Sequence, residues 1–136
     1  MRTTRHIDTV AHLCGTVILV LTAAYLLLAV LPFYGNGIHL HSYAEVAGSH
    51  VDVKGYPPFA WSWIGGPAQG AAMLSAALTP LASLLLTPIL LVALGVKWHT
   101  RVRSGLALWT VTAAINIVTM AVTWQSLGVI VTWLAD

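Results

Sequence analysis

The chain has 136 residues, of which 58% are hydrophobic and 7% charged, with six Lys and Arg against four Asp and Glu. Soluble domains carry about 25% charged residues, and so few charges cannot cover a soluble fold of this length, so the composition indicates an integral membrane protein of one domain. The basic residues form no patch with interleaved aromatics, which excludes nucleic acid as a partner, the single Cys14 excludes internal disulfides and thiolate metal clusters, and no phosphate loop or nucleophile elbow is present.

Arg2 and Arg5 precede the first apolar run, about residues 10–32, which is long enough to cross roughly 30 Å of hydrocarbon. The run lacks a small-x-small cleavage site and is too long for a signal peptide, so it reads as an uncleaved anchor. Asp8 and His12 lie four apart, on one helical face at the start of this span. They form a candidate proton relay, set against a capping role for Asp8. Gly15, Thr22 and Ala29 continue a small and weakly polar face from this pair.

Residues 33–66 form a long connection. It opens on a turn signal, Tyr34-Gly35-Asn36-Gly37, and Ser42 with Glu45 has the spacing of a capping box, for a short helix that Gly48 ends. His50 to Lys54 alternates as an extended piece would. On extended backbone residues two apart project to one side, so His39, His41, His50 and Asp52 are candidate ligands for copper or zinc. The alternative is that these side chains meet lipid headgroups, loop backbone or a partner. Beyond this one possibility no cofactor is expected. Trp61 and Trp63 should lie at the headgroup level.

The second span covers about 67–96, with Pro80 and Pro88 as kink points. Its first half is small or weakly polar on most of its circumference: Met73, Leu74 and Leu78 alone are large and apolar. Gly66, Gly70, Ala72, Ala76 and Thr79 are therefore candidate contacts for a helix outside this chain, unless the alanine content is compositional bias. Leucines surround the second half.

Lys97, Arg101 and Arg103 fall in the turn 97–104, on the same side as Arg2 and Arg5 if three spans are present, while Lys54 lies opposite. Positive charge marks the cytoplasmic face, so the expected topology has the N-terminus cytoplasmic and the long loop and C-terminus extracytoplasmic, in the plasma membrane. Trp98 and Trp109 are assigned to one aromatic belt and Trp61, Trp63 and Trp133 to the other; no charge is expected in the membrane interior.

The third span, about 105–134, carries Thr112, Asn116, Thr119, Thr123 and Ser126 on one continuous face. Asn116 is costly to leave unpaired in hydrocarbon and should bond to a neighbouring helix. Packing among the three helices accounts for this stripe, and Thr112, Asn116, Thr119 and Thr123 are also candidate partner contacts. Thr123-Trp124-Gln125-Ser126 interrupts the apolar run.

The expected fold is all-α, a three-span helical integral membrane protein with a partly ordered extracytoplasmic loop. The expected function is a non-catalytic accessory or stabilising subunit of a larger membrane complex, of respiratory, electron-transfer or transport type, with other integral membrane subunits and lipid as partners. Alternatives are an outer-face copper or zinc protein and a small homo-oligomeric transporter or channel.

Overall fold

The structure is a computed structural model that describes residues 2–48 and 51–135, with side chains from Arg5 onward. Among the described residues every regular element is helical: α1 is Arg2–Tyr25, α2 Leu31–Gly35, α3 Tyr43–Ala47, α4 Gly65–His99, α5 Leu106–Thr123 and α6 Leu127–Ala135. Three stretches, Arg5–Gly35, Gly65–His99 and Leu106–Thr123, are long and apolar enough to cross a membrane.

The first stretch passes from α1 to α2 through one π turn, Leu26–Val30. Pro32 explains it. A proline has no N–H and its ring crowds the carbonyl four residues earlier, so the helix widens by one residue just before it. Leu31 N–H accordingly donates to the Leu26 carbonyl. The helix thus continues past Pro32, where the sequence reading ended it, to Gly35.

α4 has 35 residues, about 52 Å at 1.5 Å per residue, well beyond the hydrocarbon thickness. Pro80 and Pro88 lie inside it without ending it. The third span is not one helix. α5 ends at Thr123 and α6 starts at Leu127, with Ser126 N–H donating to Thr123 O at 3.0 Å and Ile130 N–H to Ser126 O at 2.9 Å. Polar side chains at 123–126 compete with the helical backbone there. The 18 residues of α5 extend about 27 Å, close to one hydrocarbon thickness by themselves.

The chain packs as two compact units. One combines the residues before Ala23 with Thr79–Ala121; the other combines Ala23–Leu78 with the residues after Ala121.

The first unit has an apolar cluster of Ala11, Ile18, Leu90, Ala93, Leu94, Trp109 and Ala113. Gly15 lies against Trp109: a Cβ added there would be 2.4 Å from the indole Cε3, so only glycine lets α1 approach α5 this closely. Much of what this unit buries is polar, including Thr22, Thr79, Ser83, Thr87, Thr112 and Asn116, while Leu13, Val20, Leu84, Leu85, Val92, Val111 and Val118 are exposed. Soluble proteins reverse that order. In hydrocarbon an outward leucine loses nothing, and the backbones gain by approaching over small residues whose hydroxyls pair inside.

The second unit is organised by Trp133 on α6. Its indole is fully buried, with ring centroids of Phe59, Phe33 and Tyr56 at 5.6, 5.9 and 6.4 Å. Trp133 is therefore a core residue and not a belt residue, because the 33–66 connection folds its aromatics onto it. Gln69 Nε2 donates to Leu134 O at 2.8 Å, and Tyr34 Oη shares a 3.2 Å hydrogen bond with Ser126 Oγ. Within the connection the capping box is formed: Ser42 N–H donates to Glu45 Oε2 at 2.6 Å and Glu45 N–H to Ser42 Oγ at 3.3 Å. Ile38, Val46, Val51, Val53 and Phe59 are buried. The stretch expected to be extended instead makes a 3₁₀ turn, Val53–Gly55, because Asp52 Oδ1 accepts from Lys54 N–H at 2.8 Å.

Candidate functional site

Two polar clusters lie inside the first unit, each joining three parts of the chain. Asn116 on α5 centres the first and is 1% exposed. Its Nδ2 donates to Thr22 Oγ1 on α1 and to Ser83 Oγ on α4, both at 2.8 Å, and its Oδ1 accepts from Thr87 Oγ1 at 3.0 Å. Both amide hydrogens and one carbonyl lone pair are satisfied, as a buried amide in hydrocarbon requires. Nearby on α4, Thr79 Oγ1 donates to the Leu21 carbonyl at 3.1 Å. Thr79 and Thr87 each directly precede a proline of α4, and both hydroxyls are directed to other helices.

The second cluster is charged. Lys97, in the last turn of α4, donates from Nζ to Asp8 Oδ1 on α1 and to the Ser104 carbonyl. Ser104 Oγ donates to the same Asp8 oxygen at 3.1 Å, and His12 Nε2 lies 3.6 Å from it. Trp109 Nε1–H donates to His12 Nδ1 at 3.1 Å, and the two rings meet edge to face with centroids 5.3 Å apart. An accepting Nδ1 places the neutral imidazole's proton on Nε2, facing Asp8. The Lys97 side chain is 1% exposed, against 34% for Asp8 and 47% for His12. The cation is thus sealed in while the carboxylate and imidazole keep access to solvent.

This cluster corrects two expectations. Asp8 is not a cap, since α1 begins at Arg2 and puts Asp8 in its second turn. Lys97 does not belong to the connecting turn, and a charge does sit inside the packed helices. Its ammonium is tolerated because a carboxylate, a backbone carbonyl and a hydroxyl surround it.

The turn after α4 has a distinctive backbone. Val102 N–H donates to Lys97 O at 2.9 Å and Arg101 N–H to Trp98 O at 3.2 Å, the paired bonds of a Schellman motif. Arg101 occupies its left-handed position with φ 56°, where glycine is the usual residue and a side chain costs about 1 kcal/mol.

The remaining candidates are placed as follows. Thr112, Thr119 and Thr123 are buried on the same α5 face as Asn116, and Ala72, Ala76 and Thr79 are buried on α4. Gly66 and Gly70 are exposed, and among the described residues nothing beyond the helix's own backbone and the chain neighbours lies within 4 Å of a Cβ built at either. His39 lies in a 3₁₀ turn, Ile38–Leu40, and packs on Tyr34 with ring centroids 4.9 Å apart. His41 Nδ1 is 3.9 Å from Glu45 Oε2. In a 3₁₀ turn successive residues rotate by about 120°, so His39 and His41 diverge where an extended backbone would have aligned them. Asp52 caps its own turn, and His50 lies outside the described residues. Among the described residues no group of three or more His, Cys, Asp or Glu converges.

Sequence reasoning missed the stripe Ser75, Thr79, Ser83 and Thr87 on α4, all buried. Its signal was present, a hydroxyl at every fourth residue, but intervening leucines led the second half of the span to read as uniformly apolar. Comparison with protein-family models, curated proteins and solved structures finds no match.

Proposed function

We propose that this chain is a non-catalytic accessory subunit of a larger membrane complex of respiratory, electron-transfer or transport type, seated in the plasma membrane with its N-terminus cytoplasmic. The carrying observation is the face of α4 turned away from the chain's buried stripe. Gly66 and Gly70 are exposed one turn apart on α4, on the side opposite the buried Ser75, and exposed Met73 and Ala77 continue that side. A glycine inside a helix costs about 1 kcal/mol relative to alanine, and among the described residues nothing beyond its own helix backbone and chain neighbours lies within 4 Å of a Cβ built at Gly70. A small-xxx-small face in hydrocarbon lets another backbone approach closely. Ala72 and Ala76, buried within the chain, serve its internal packing, so Gly66 and Gly70 carry the docking role.

The test is mass spectrometry of proteins retained after gentle detergent extraction. Gly66→Leu and Gly70→Leu should release the retained membrane subunits without lowering the thermal midpoint of the chain. An unchanged set of retained proteins in both variants overturns the reading.

A further inference from the structure

The turn joining α4 to α5 forms an open cavity of about 320 Å³ lined by Lys97, Trp98, Arg101, Arg103 and Leu106. That volume is at the small end of ligand-sized pockets. Three of its five lining residues are cations, and one carboxylate, Asp8, answers them by pairing with Lys97. Arg101 and Arg103 are exposed and make no ion pair with a carboxylate among the described residues. Trp98, 76% exposed, adds an indole of the kind that settles at headgroup depth. The backbone supplies an independent observation. Arg101 holds the left-handed Schellman position that glycine fills without strain, so the fold accepts a cost there to present a guanidinium at the cavity. Residues held in such conformations cluster at ligand clamps and other functional sites.

We propose that this cavity binds the phosphate of an anionic phospholipid headgroup. Arg101 and Arg103 donate to the phosphate oxygens in the fork geometry guanidinium favours. Lys97, neutralised by Asp8, shapes the wall, and Leu106 and Trp98 receive the apolar part of the lipid below the phosphate. Basic pockets between membrane helices bind acidic headgroups by this combination of charge and depth.

Native mass spectrometry of the purified full chain, with mixed micelles titrated with phosphatidylglycerol or phosphatidylcholine, tests the proposal. Phosphatidylglycerol should be retained in preference to phosphatidylcholine. Arg101→Gly and Arg103→Gln should each weaken that retention about fivefold, whereas Lys54→Gln, in the 33–66 connection, should not. Arg101→Gly removes backbone strain, so its thermal midpoint should equal or exceed the parent's and loss of lipid cannot be ascribed to misfolding. Equal retention of the two lipids, or undiminished phosphatidylglycerol on the doubly substituted chain, overturns the proposal. Full displacement of the lipid by inorganic phosphate at constant ionic strength also overturns it, in favour of a soluble anion.

Discussion

Asn116→Ala removes the amide that joins α1, α4 and α5. Three hydrogen bonds disappear, to Thr22, Ser83 and Thr87, and all four residues are buried. Side-chain hydrogen bonds between membrane helices average about 0.6 kcal/mol each, so the loss should come to about 2 kcal/mol. The three hydroxyls left behind can turn to their own helix carbonyls, which keeps the cost near that value and below the penalty for orphaned buried groups. The assay is reversible unfolding in mixed micelles as denaturing detergent is increased, followed by helical circular dichroism. Ser83→Ala, which removes one bond, should cost about a third as much, and Thr110→Ala on the exposed side of α5 should change stability by less than about 0.5 kcal/mol. If Asn116→Ala falls within that same small range, the amide does not bind the three helices together and the reasoning fails.

Three further outcomes are expected. Gly15→Ala should destabilise by about 1–3 kcal/mol, the usual cost of overpacking, because its Cβ would overlap the Trp109 ring; an unchanged unfolding midpoint would show that α1 can move aside freely. Lys97→Met should lower the thermal midpoint by leaving Asp8 without its cation, and adding Asp8→Asn should restore part of the loss; equal midpoints for the single and double variants would deny the pairing. Trp133→Ala should cost about 3–5 kcal/mol, yet Trp133→Phe much less, since the Trp133 Nε1–H has no acceptor among the described residues and phenylalanine removes that donor while keeping a ring against Phe33 and Phe59. A phenylalanine variant as unstable as the alanine one would mean that the indole's extra volume, and not ring contact, organises the second unit.

Part of the polar interior was legible in the chain. Thr112, Asn116, Thr119 and Thr123 lie on one face by helical geometry alone, and the cost of an unpaired amide in hydrocarbon requires Asn116 to find a partner. Which partner was not legible, because Thr22, Ser83 and Thr87 are brought to it by helix packing across 94, 33 and 29 positions of sequence. The metal reading rests on extended backbone at both histidine pairs, whereas Gly37 with φ 74° leads the chain into the tight turn that carries His39, a conformation that spacing alone does not reveal. Sequence alone groups Lys97 with Arg101 and Arg103, because position cannot tell a side chain on the last turn of a helix from one on the loop just after it.

The sequence alone determined the class of protein and the candidate spans: so few charges and three apolar runs long enough to cross a membrane suit surroundings of hydrocarbon, where exposed apolar surface costs nothing. Periodicity determined which residues share a face. Only the tertiary structure decided what each face meets: that Ala72 and Ala76 turn inward while Gly66 and Gly70 stay exposed, that Trp133 is a core residue, and that Lys97 is sealed against Asp8 while Arg101 and Arg103 line an open cavity. The physical reason is that lipid tails and apolar side chains are nearly equivalent surroundings. Hydrophobicity therefore cannot say which side of a membrane helix is inside, and backbone closeness and hydrogen-bond pairing between distant segments make that choice.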